Sequence, residues 1–342
     1  MTLSELTLRQ FRSYDEARFA FDPQLTLVTG DNGAGKTNLL EAVYVLLTGT
    51  SFRVADRDLV RHDRAWWRLD GLVDDEPRQL RYQPDQHPAK QLVTLDTKKG
   101  FRYRDRLPVV LFEPTDLLLL HGSPSRRRDA FDTMLSSLSQ RYKLTLGRYE
   151  RTLLQRNNLL RQNPPDLTDR LFSWDVLLSS HGVELVVARA ELAERLNGLL
   201  SDLYSQIAGV STSVQLGYQS SLGARPDTSH YVATLHRHLP LDRQRGTTST
   251  GPHRDDYTFE LRGDAARLSA SRGETRTLVL SLKLAYALLL HETYQRKPLL
   301  LLDDVFSELD IGRQANIAAG ISPYQTILTD TRPRTDAYQI SL

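Results

Sequence analysis

Eight residues constrain this chain more than anything else in it. Gly30-Asp31-Asn32-Gly33-Ala34-Gly35-Lys36-Thr37 stand between an apolar stretch at Leu25–Val28 and a helical pattern at Leu39, Leu40, Val43, Leu46 and Leu47. A glycine-rich turn from strand to helix wraps backbone N–H groups around a phosphate, and the helix N-terminus adds its positive end. Gly30, Asn32, Gly33, Ala34, Gly35 and Asn38 are thus candidate nucleotide contacts. Lys36 is expected to reach the β- and γ-phosphates of ATP, and the Thr37 hydroxyl to ligate Mg²⁺. Lysine is scarce, 7 residues against 37 arginines, and Lys36 is the only one in the first 89 positions. A merely basic turn would not select it.

Such a loop needs a carboxylate from the end of a buried strand, and Leu299-Leu300-Leu301-Leu302-Asp303-Asp304 offers two. Asp303 is expected to hold Mg²⁺ and Asp304 to act as general base on the attacking water. Two Asp after four Leu also end an ordinary strand at the surface; only the pairing with the phosphate loop favours the catalytic reading. Arg12 is a further candidate ATP contact, its alternative being ordinary strand-end polarity.

The pattern along the chain reads as α/β with a helical insertion. Short strands are expected at Leu6–Leu8, Arg18–Phe21 and Leu25–Val28, and a meander over 66–112 ending in Val109–Phe112. From Ser125 to Arg161 and from Asp166 to Ile207, apolar positions recur every three or four residues, interrupted by Asn163-Pro164-Pro165-Asp166. Strands return at Val214–Tyr218 and Tyr257–Leu261. A helix follows over Thr275–His291, then the Leu299–Leu302 strand, a helix at Ile311–Gly320 and a strand at Gln325–Thr329. The boundaries expected are 1–115 and 210–342 for two parts of one ATPase head, with 116–209 as an inserted helical lobe.

Composition excludes several classes. Cysteine is absent from the 342 residues, which removes disulfide frameworks, thiol nucleophiles and thiolate metal sites. The purely apolar runs are far shorter than the roughly 18 residues of a membrane span, and Glu5, Arg9, Arg12, Asp15 and Glu16 break any signal-peptide core. A cytoplasmic protein without a membrane partner is expected. Net charge is only +2, so a polyanion site must be a patch.

Further segments carry a resemblance. Ser269-Ala270-Ser271-Arg272-Gly273-Glu274 opens a helix, and Ser307-Glu308-Leu309-Asp310 follows the two Asp. With the phosphate loop, this order resembles ABC-type P-loop ATPases of the SMC-like DNA-repair branch. Leu8-Arg9-Gln10-Phe11-Arg12-Ser13-Tyr14, Gly122-Ser123-Pro124 before Arg126-Arg127-Arg128, and Thr250-Gly251-Pro252-His253-Arg254-Asp255-Asp256 narrow it to the RecF family. The resemblance implies an ABC-type head with an inserted α-helical lobe and an ATP-dependent homodimer. In it, the signature residues Ser271, Arg272 and Gly273 of one subunit cap the nucleotide of the other, with Ser307 and Asp310 along the interface. It also implies double-stranded DNA binding near gaps or single-strand junctions, weak DNA-stimulated ATP hydrolysis, and work with RecR and RecO to load the RecA recombinase in repair and the SOS response. Taken alone, Ser-Arg-Gly before a helix is an ordinary N-cap.

Departures from the usual ABC pattern bear on rate. Ala270 and Glu274 replace the usual signature Leu and Gln, Asp304 replaces a Glu, Asp330 stands where a switch His is usual, and Glu113 stands where a Gln is usual. Slow hydrolysis is expected, with no role read for Glu113, His253, Glu274 or Asp330. Between Ser123 and Arg161 nine basic residues face three acidic ones. Arg126, Arg127, Arg128, Arg141, Lys143 and Arg148, with Tyr142 and Tyr149 among them, are candidate DNA contacts, although such a run is otherwise a solvated helix face. The rival reading is the ATPase subunit of an ABC transporter, disfavoured by the basic insertion and the missing signature Gln and switch His.

Overall fold

In the computed structural model the described residues are 1–223, 226–306, 310–331 and 337–342. The chain divides into two compact units: Met1–Asp116 with Gln206–Gly209 and Arg276–Leu342, and Leu117–Ser205 with Val210–Thr275.

In chain order the first unit begins with β1 (Leu3–Phe11), β2 (Tyr14–Ala20), β3 (Leu25–Thr29), α1 (Lys36–Thr48), β4 (Trp67–Val73), β5 (Glu76–Tyr82), β6 (Lys90–Val93), β7 (Lys98–Gly100) and β8 (Val109–Phe112). The chain then runs through α2 (Leu118–His121), α3 (Pro124–Leu138), α4 (Gln140–Gln162), α5 (Leu167–Ala208), β9 (Val214–Gln219), α6 (Thr228–Arg245), β10 (Asp256–Leu261), β11 (Asp264–Ala265), α7 (Ala266–Ser269) and α8 (Arg272–Tyr294). It closes with β12 (Leu299–Leu302), α9 (Ile311–Ile321), β13 (Thr326–Asp330) and β14 (Tyr338–Ser341).

Among the described residues the first unit holds an antiparallel sheet ordered β2-β1-β4-β5-β6-β7 and a parallel sheet ordered β14-β3-β13-β12-β8. β12 is an interior strand of the parallel sheet, where side chains face packing on both sides, and all four of its leucines are buried. Helix α1 touches strands of both sheets. It is therefore buried nearly all round, from Leu39 to Thr48 with only Tyr44 partly open, and not along the single face its leucine spacing suggested. Leu39, Val43 and Leu46 share one core with Leu6, Leu8, Trp67 and Leu80 of the antiparallel sheet and Val28, Leu301 and Ile327 of the parallel one. β8 also departs from expectation. It does not close the meander but pairs in parallel with β12, Val109 to Leu299 through Phe112 to Leu302. Local pattern cannot show a partner nearly 200 residues away.

In the second unit, the helical run expected over Ser125–Arg161 is two helices broken at Ser139, whose hydroxyl accepts from Tyr142 N and caps α4. The three-stranded sheet β11-β10-β9 and α6 belong with these helices, so this unit continues to Thr275, past the boundary expected at 209. Helix α6 and strand β14 were not anticipated; Pro240 inside α6 hides its helical pattern. Helix α5 is long and apolar enough to cross a membrane by length and composition, contrary to the expectation drawn from uninterrupted runs. It nevertheless carries Asp175 and Arg189 into the interior, each 2% exposed and each ion-paired, Asp175 with Arg156 and Arg189 with Asp132.

Candidate functional site

Parallel strands gather polar groups at their carboxyl ends, where ligands of open α/β sheets bind. Here β3 leads into Gly30, β13 ends at Thr329-Asp330, β12 at Asp303 and β8 at Glu113, on adjacent strands in that order. The sheet thereby brings the phosphate loop and the two Asp together, although 266 residues separate Thr37 from Asp303.

Within the loop Gly35 has φ +106, and a Cβ there would stand 2.9 Å from the Tyr14 hydroxyl. That hydroxyl donates to Gly35 O at 3.2 Å, and burial pushes the Tyr14 phenol up to about 12. The β1–β2 hairpin tip thus braces the loop. Lys36 Nζ donates to Gly30 O at 2.6 Å and Asp31 O at 3.0 Å, so the ammonium turns back across the loop. Gly33 is open, with nothing near its missing Cβ, and Asn32 is exposed. Asn38 Nδ2 donates to Ser13 Oγ at 3.0 Å. Arg12 is engaged by α1: Nε and Nη2 donate to Glu41 at 2.7 and 3.0 Å, and Nη1 to Asp58 O at 3.1 Å. Glu41 is fully buried and also accepts from Ser51 Oγ. Arg12 therefore holds α1 to the hairpin tip, a role that strand-end polarity did not reveal.

Thr37 Oγ1 donates to Asp303 Oδ2 at 3.0 Å, and Thr329 Oγ1 donates to Asp303 Oδ1 at 2.6 Å. A hydroxyl and a carboxylate oxygen side by side are the hard ligands Mg²⁺ takes, with phosphates and water completing its shell. Among the described residues no group of three or more His, Asp or Glu forms a separate metal site. Asp304 has φ +50. Its amide donates to Thr329 Oγ1 at 3.0 Å, and its carbonyl accepts from Arg276 Nη1 at 3.2 Å. Glu113 N donates to Asp116 Oδ2, which also meets Lys283 Nζ at 2.8 Å. Burial, then the Asp116 charge, pushes the Glu113 carboxyl up to about 7 against the pull of Arg53 and Lys283. Thr329, Arg276, Lys283 and Asp116 escaped the sequence reading. Only the position of Thr329 at the end of a buried strand hinted at its part.

The segment Ser269–Glu274, expected to act as the signature, lies in the second unit, and there Glu274 is held by its own helix start. Ser271 N donates to Glu274 Oε2 at 2.8 Å and Glu274 N donates to Ser271 Oγ at 3.3 Å, a reciprocal capping box at the start of α8. Glu274 Oε1 also accepts from Arg262 at 2.7 Å. These bonds outweigh desolvation and hold the Glu274 carboxyl below its ordinary value. Arg272 and Gly273 stand in the first turn of α8. Asp310 caps α9, its Oδ1 accepting from Arg313 N at 2.9 Å; Ser307 lies outside the described residues.

The basic run is not one face. Arg127 is buried, bidentate to Asp256 at 2.7 and 2.8 Å and donating to Gly122 O. It is therefore an interior residue and not an exposed cation. Arg128 donates to Asp255 O at 2.7 Å, and Arg141 pairs with Glu184 at 3.0 Å on the surface. Arg126, Arg141, Lys143 and Arg148 are exposed. Tyr142 and Tyr149 are buried and cannot stack on bases. Arg156 is fully buried between Asp175 and Asp242, with Thr248 Oγ1 as a further partner. Guanidinium, with five donors, suits such knots. The Thr250–Asp256 segment is knotted in the same way. Asp255 accepts from Tyr218 Oη, Ser221 N and Ser221 Oγ, while His253 meets Tyr149 Oη at 2.8 Å and Thr248 O at 3.0 Å.

Together the parallel sheet, the phosphate loop and the adjoining Asp303 define an ABC-type P-loop ATPase. The AAA domain family matches residues 5–100. The DNA replication and repair protein RecF of Symbiobacterium thermophilum is 39% identical, over 94% of this chain and 88% of that protein, and that of Lactobacillus johnsonii is 35% identical, over 97% and 92%. The chain belongs to the RecF family. A solved recombination mediator protein RecF with ATPrS, of the RecFOR pathway, superposes with TM-score 0.88 at 28% identity, covering 100% of this chain and 96% of that one. An Smc head bound to the C-winged helix domain of ScpA shares the fold, with TM-score 0.54 at 16% identity over 96% and 89% of the two chains.

Proposed function

We propose that this chain is a cytoplasmic ATP-dependent DNA-binding protein of recombinational and gap repair. ATP joins two copies on double-stranded DNA near a single-strand junction, where with RecR and RecO they help load the RecA recombinase. The observation that carries the reading is the Thr37–Asp303 hydrogen bond at 3.0 Å, which joins phosphate loop and strand end in one ATP site within a RecF-family chain. Lys36 binds the β- and γ-phosphates, and Thr37 and Asp303 hold Mg²⁺, which when bound neutralises phosphate charge. Asp304 accepts the proton of the water that attacks the γ-phosphorus, while the bond to the β–γ bridging oxygen breaks and its electron pair leaves with ADP. Ser271, Arg272 and Gly273 of one copy meet the nucleotide of the other, with Ser307 and Asp310 at the joint. Gly30, Asn32, Gly33, Ala34, Gly35 and Asn38 line the nucleotide, with Arg12 behind them. Exposed Arg126, Arg141, Lys143 and Arg148 contact DNA phosphates without reading sequence. Hydrolysis is slow and DNA-stimulated, so the cycle times a dimer.

Light scattering tests this reading, with no nucleotide, ADP or ATP–Mg²⁺, each with and without a short gapped duplex. Dimers formed only with ATP that join the DNA are the expected result. Monomers in every condition, with no DNA shift, would sink the dimer switch.

A further inference from the structure

Asp304 is held in a backbone conformation that most residues avoid. Its φ of +50 lies in the left-handed region, which disfavours L-residues but which Asp and Asn enter more readily than Glu. Two hydrogen bonds fasten it there, and a third holds the residue that follows. Thr329 Oγ1 accepts from Asp304 N at 3.0 Å, and Arg276 Nη1 donates at 3.2 Å to both Asp304 O and Val305 O. Thr329 also donates to Asp303 Oδ1 at 2.6 Å, so one hydroxyl ties together two consecutive residues. Both holding side chains are interior, Thr329 1% and Arg276 4% exposed, which lets little water compete for the bonds.

We propose that Thr329 and Arg276 are positioning residues for hydrolysis, clamping the turn at Asp303-Asp304 so that Asp303 stays on Thr37 while Asp304 is fixed for proton transfer. The proposal rests on the reading of Asp304 as general base. It also accounts for Asp at 304: the left-handed backbone suits Asp, and a Glu there would strain or release the clamp.

The test uses the full chain with Thr329→Val, Thr329→Ser, Arg276→Gln and Arg276→Lys. Three readouts are steady-state ATP hydrolysis with Mg²⁺, affinity for a fluorescent ATP analogue, and amide hydrogen exchange over 302–306. Thr329→Val should lower kcat roughly 10- to 100-fold, the scale of a small misplacement of a reacting group. Affinity for the analogue measured without Mg²⁺ should stay within about threefold, since the phosphate loop itself is unchanged, and exchange at Asp304 should quicken. Thr329→Ser, which keeps the hydroxyl, should restore all three, and Arg276→Lys should lie between Arg276→Gln and the natural chain. Loss of affinity in step with kcat, or unchanged exchange in Thr329→Val, would overturn the proposal. Should an Arg276 variant fail to fold, the Thr329 pair decides alone. Asp304→Asn hydrolysing at the natural rate would instead remove the general-base reading, while exchange would still report whether the clamp exists.

Discussion

Asn197 and Leu216 trade two hydrogen bonds of 2.7 Å, the amide side chain of one standing in for a β-strand against the backbone of the other. The exchange repeats along α5 and β9. Ser201 accepts from Val214 N and donates to Val214 O, and Ser205 does the same with Thr212. Steps of four residues on a helix rise about 6 Å and steps of two on a strand about 6.6 Å, so the two spacings stay in register. The free edge of β9 is thereby covered, as edge strands must be to avoid pairing with other chains.

Asn197→Leu should leave Leu216 N and O without this partner and lower stability by about 1–3 kcal/mol. Urea unfolding measures the loss, and light scattering during refolding should show more association through the opened edge. An unchanged midpoint would mean that solvent serves Leu216 as well as Asn197 does.

Gly251 marks a second packed point. Its φ is +124, and a Cβ there would overlap Tyr231 Oη and stand 2.8 Å from Tyr149 Oη. Gly251→Ala should therefore destabilise by roughly 2 kcal/mol or more, from backbone strain and overpacking together. Tyr231→Phe removes the nearest atom, so the double variant should lose less than the sum of the singles. Strict additivity in a double-mutant cycle would show that strain alone sets the cost.

Legibility followed the range of the interaction. The phosphate loop and the Leu299–Leu302 strand could be read because residues adjacent in sequence define them. The Thr329 and Arg276 contacts to Asp304 could not, because each joins segments more than twenty residues apart. On α4 the signal lies in the spacing. Tyr142, Tyr149 and Arg156 recur every seven residues, and all three are buried; a stripe holding two tyrosines takes its arginine inside. The capping box at Ser271–Glu274 is likewise local, spelled Ser-x-x-Glu.

His253 couples the same region to pH. Thr248 O can only accept, so Nε2 carries the proton and Nδ1 accepts from Tyr149 Oη. Burial first, then the nearby Arg254 and Arg128 charges, holds the ring down to about 4. Below its ordinary value of 6.5 the unfolded chain binds a proton that the folded chain refuses, so stability falls as pH drops from about 6.5 to 4. The loss should reach about 3 kcal/mol at pH 4 from this group. Urea midpoints across that range, for the natural chain and His253→Gln, measure it. A slope equally steep in His253→Gln would assign the acid sensitivity to other groups.

The two ends of the ATP site should separate by mutation. Lys36→Met removes the ammonium that crosses the loop to Gly30 O and Asp31 O, and ATP affinity should fall at least about tenfold, the scale of losing a charge-assisted phosphate contact. Asp304→Asn keeps a side chain that tolerates the left-handed backbone and leaves the Thr37–Asp303 bond in place. It should bind ATP normally, hydrolyse it about 100-fold more slowly as expected for loss of a general base, and persist as a dimer with ATP–Mg²⁺. Equilibrium binding, phosphate release and solution mass distinguish the two variants. If Asp304→Asn instead lost binding along with hydrolysis, Asp304 would be holding the nucleotide site together and not moving a proton.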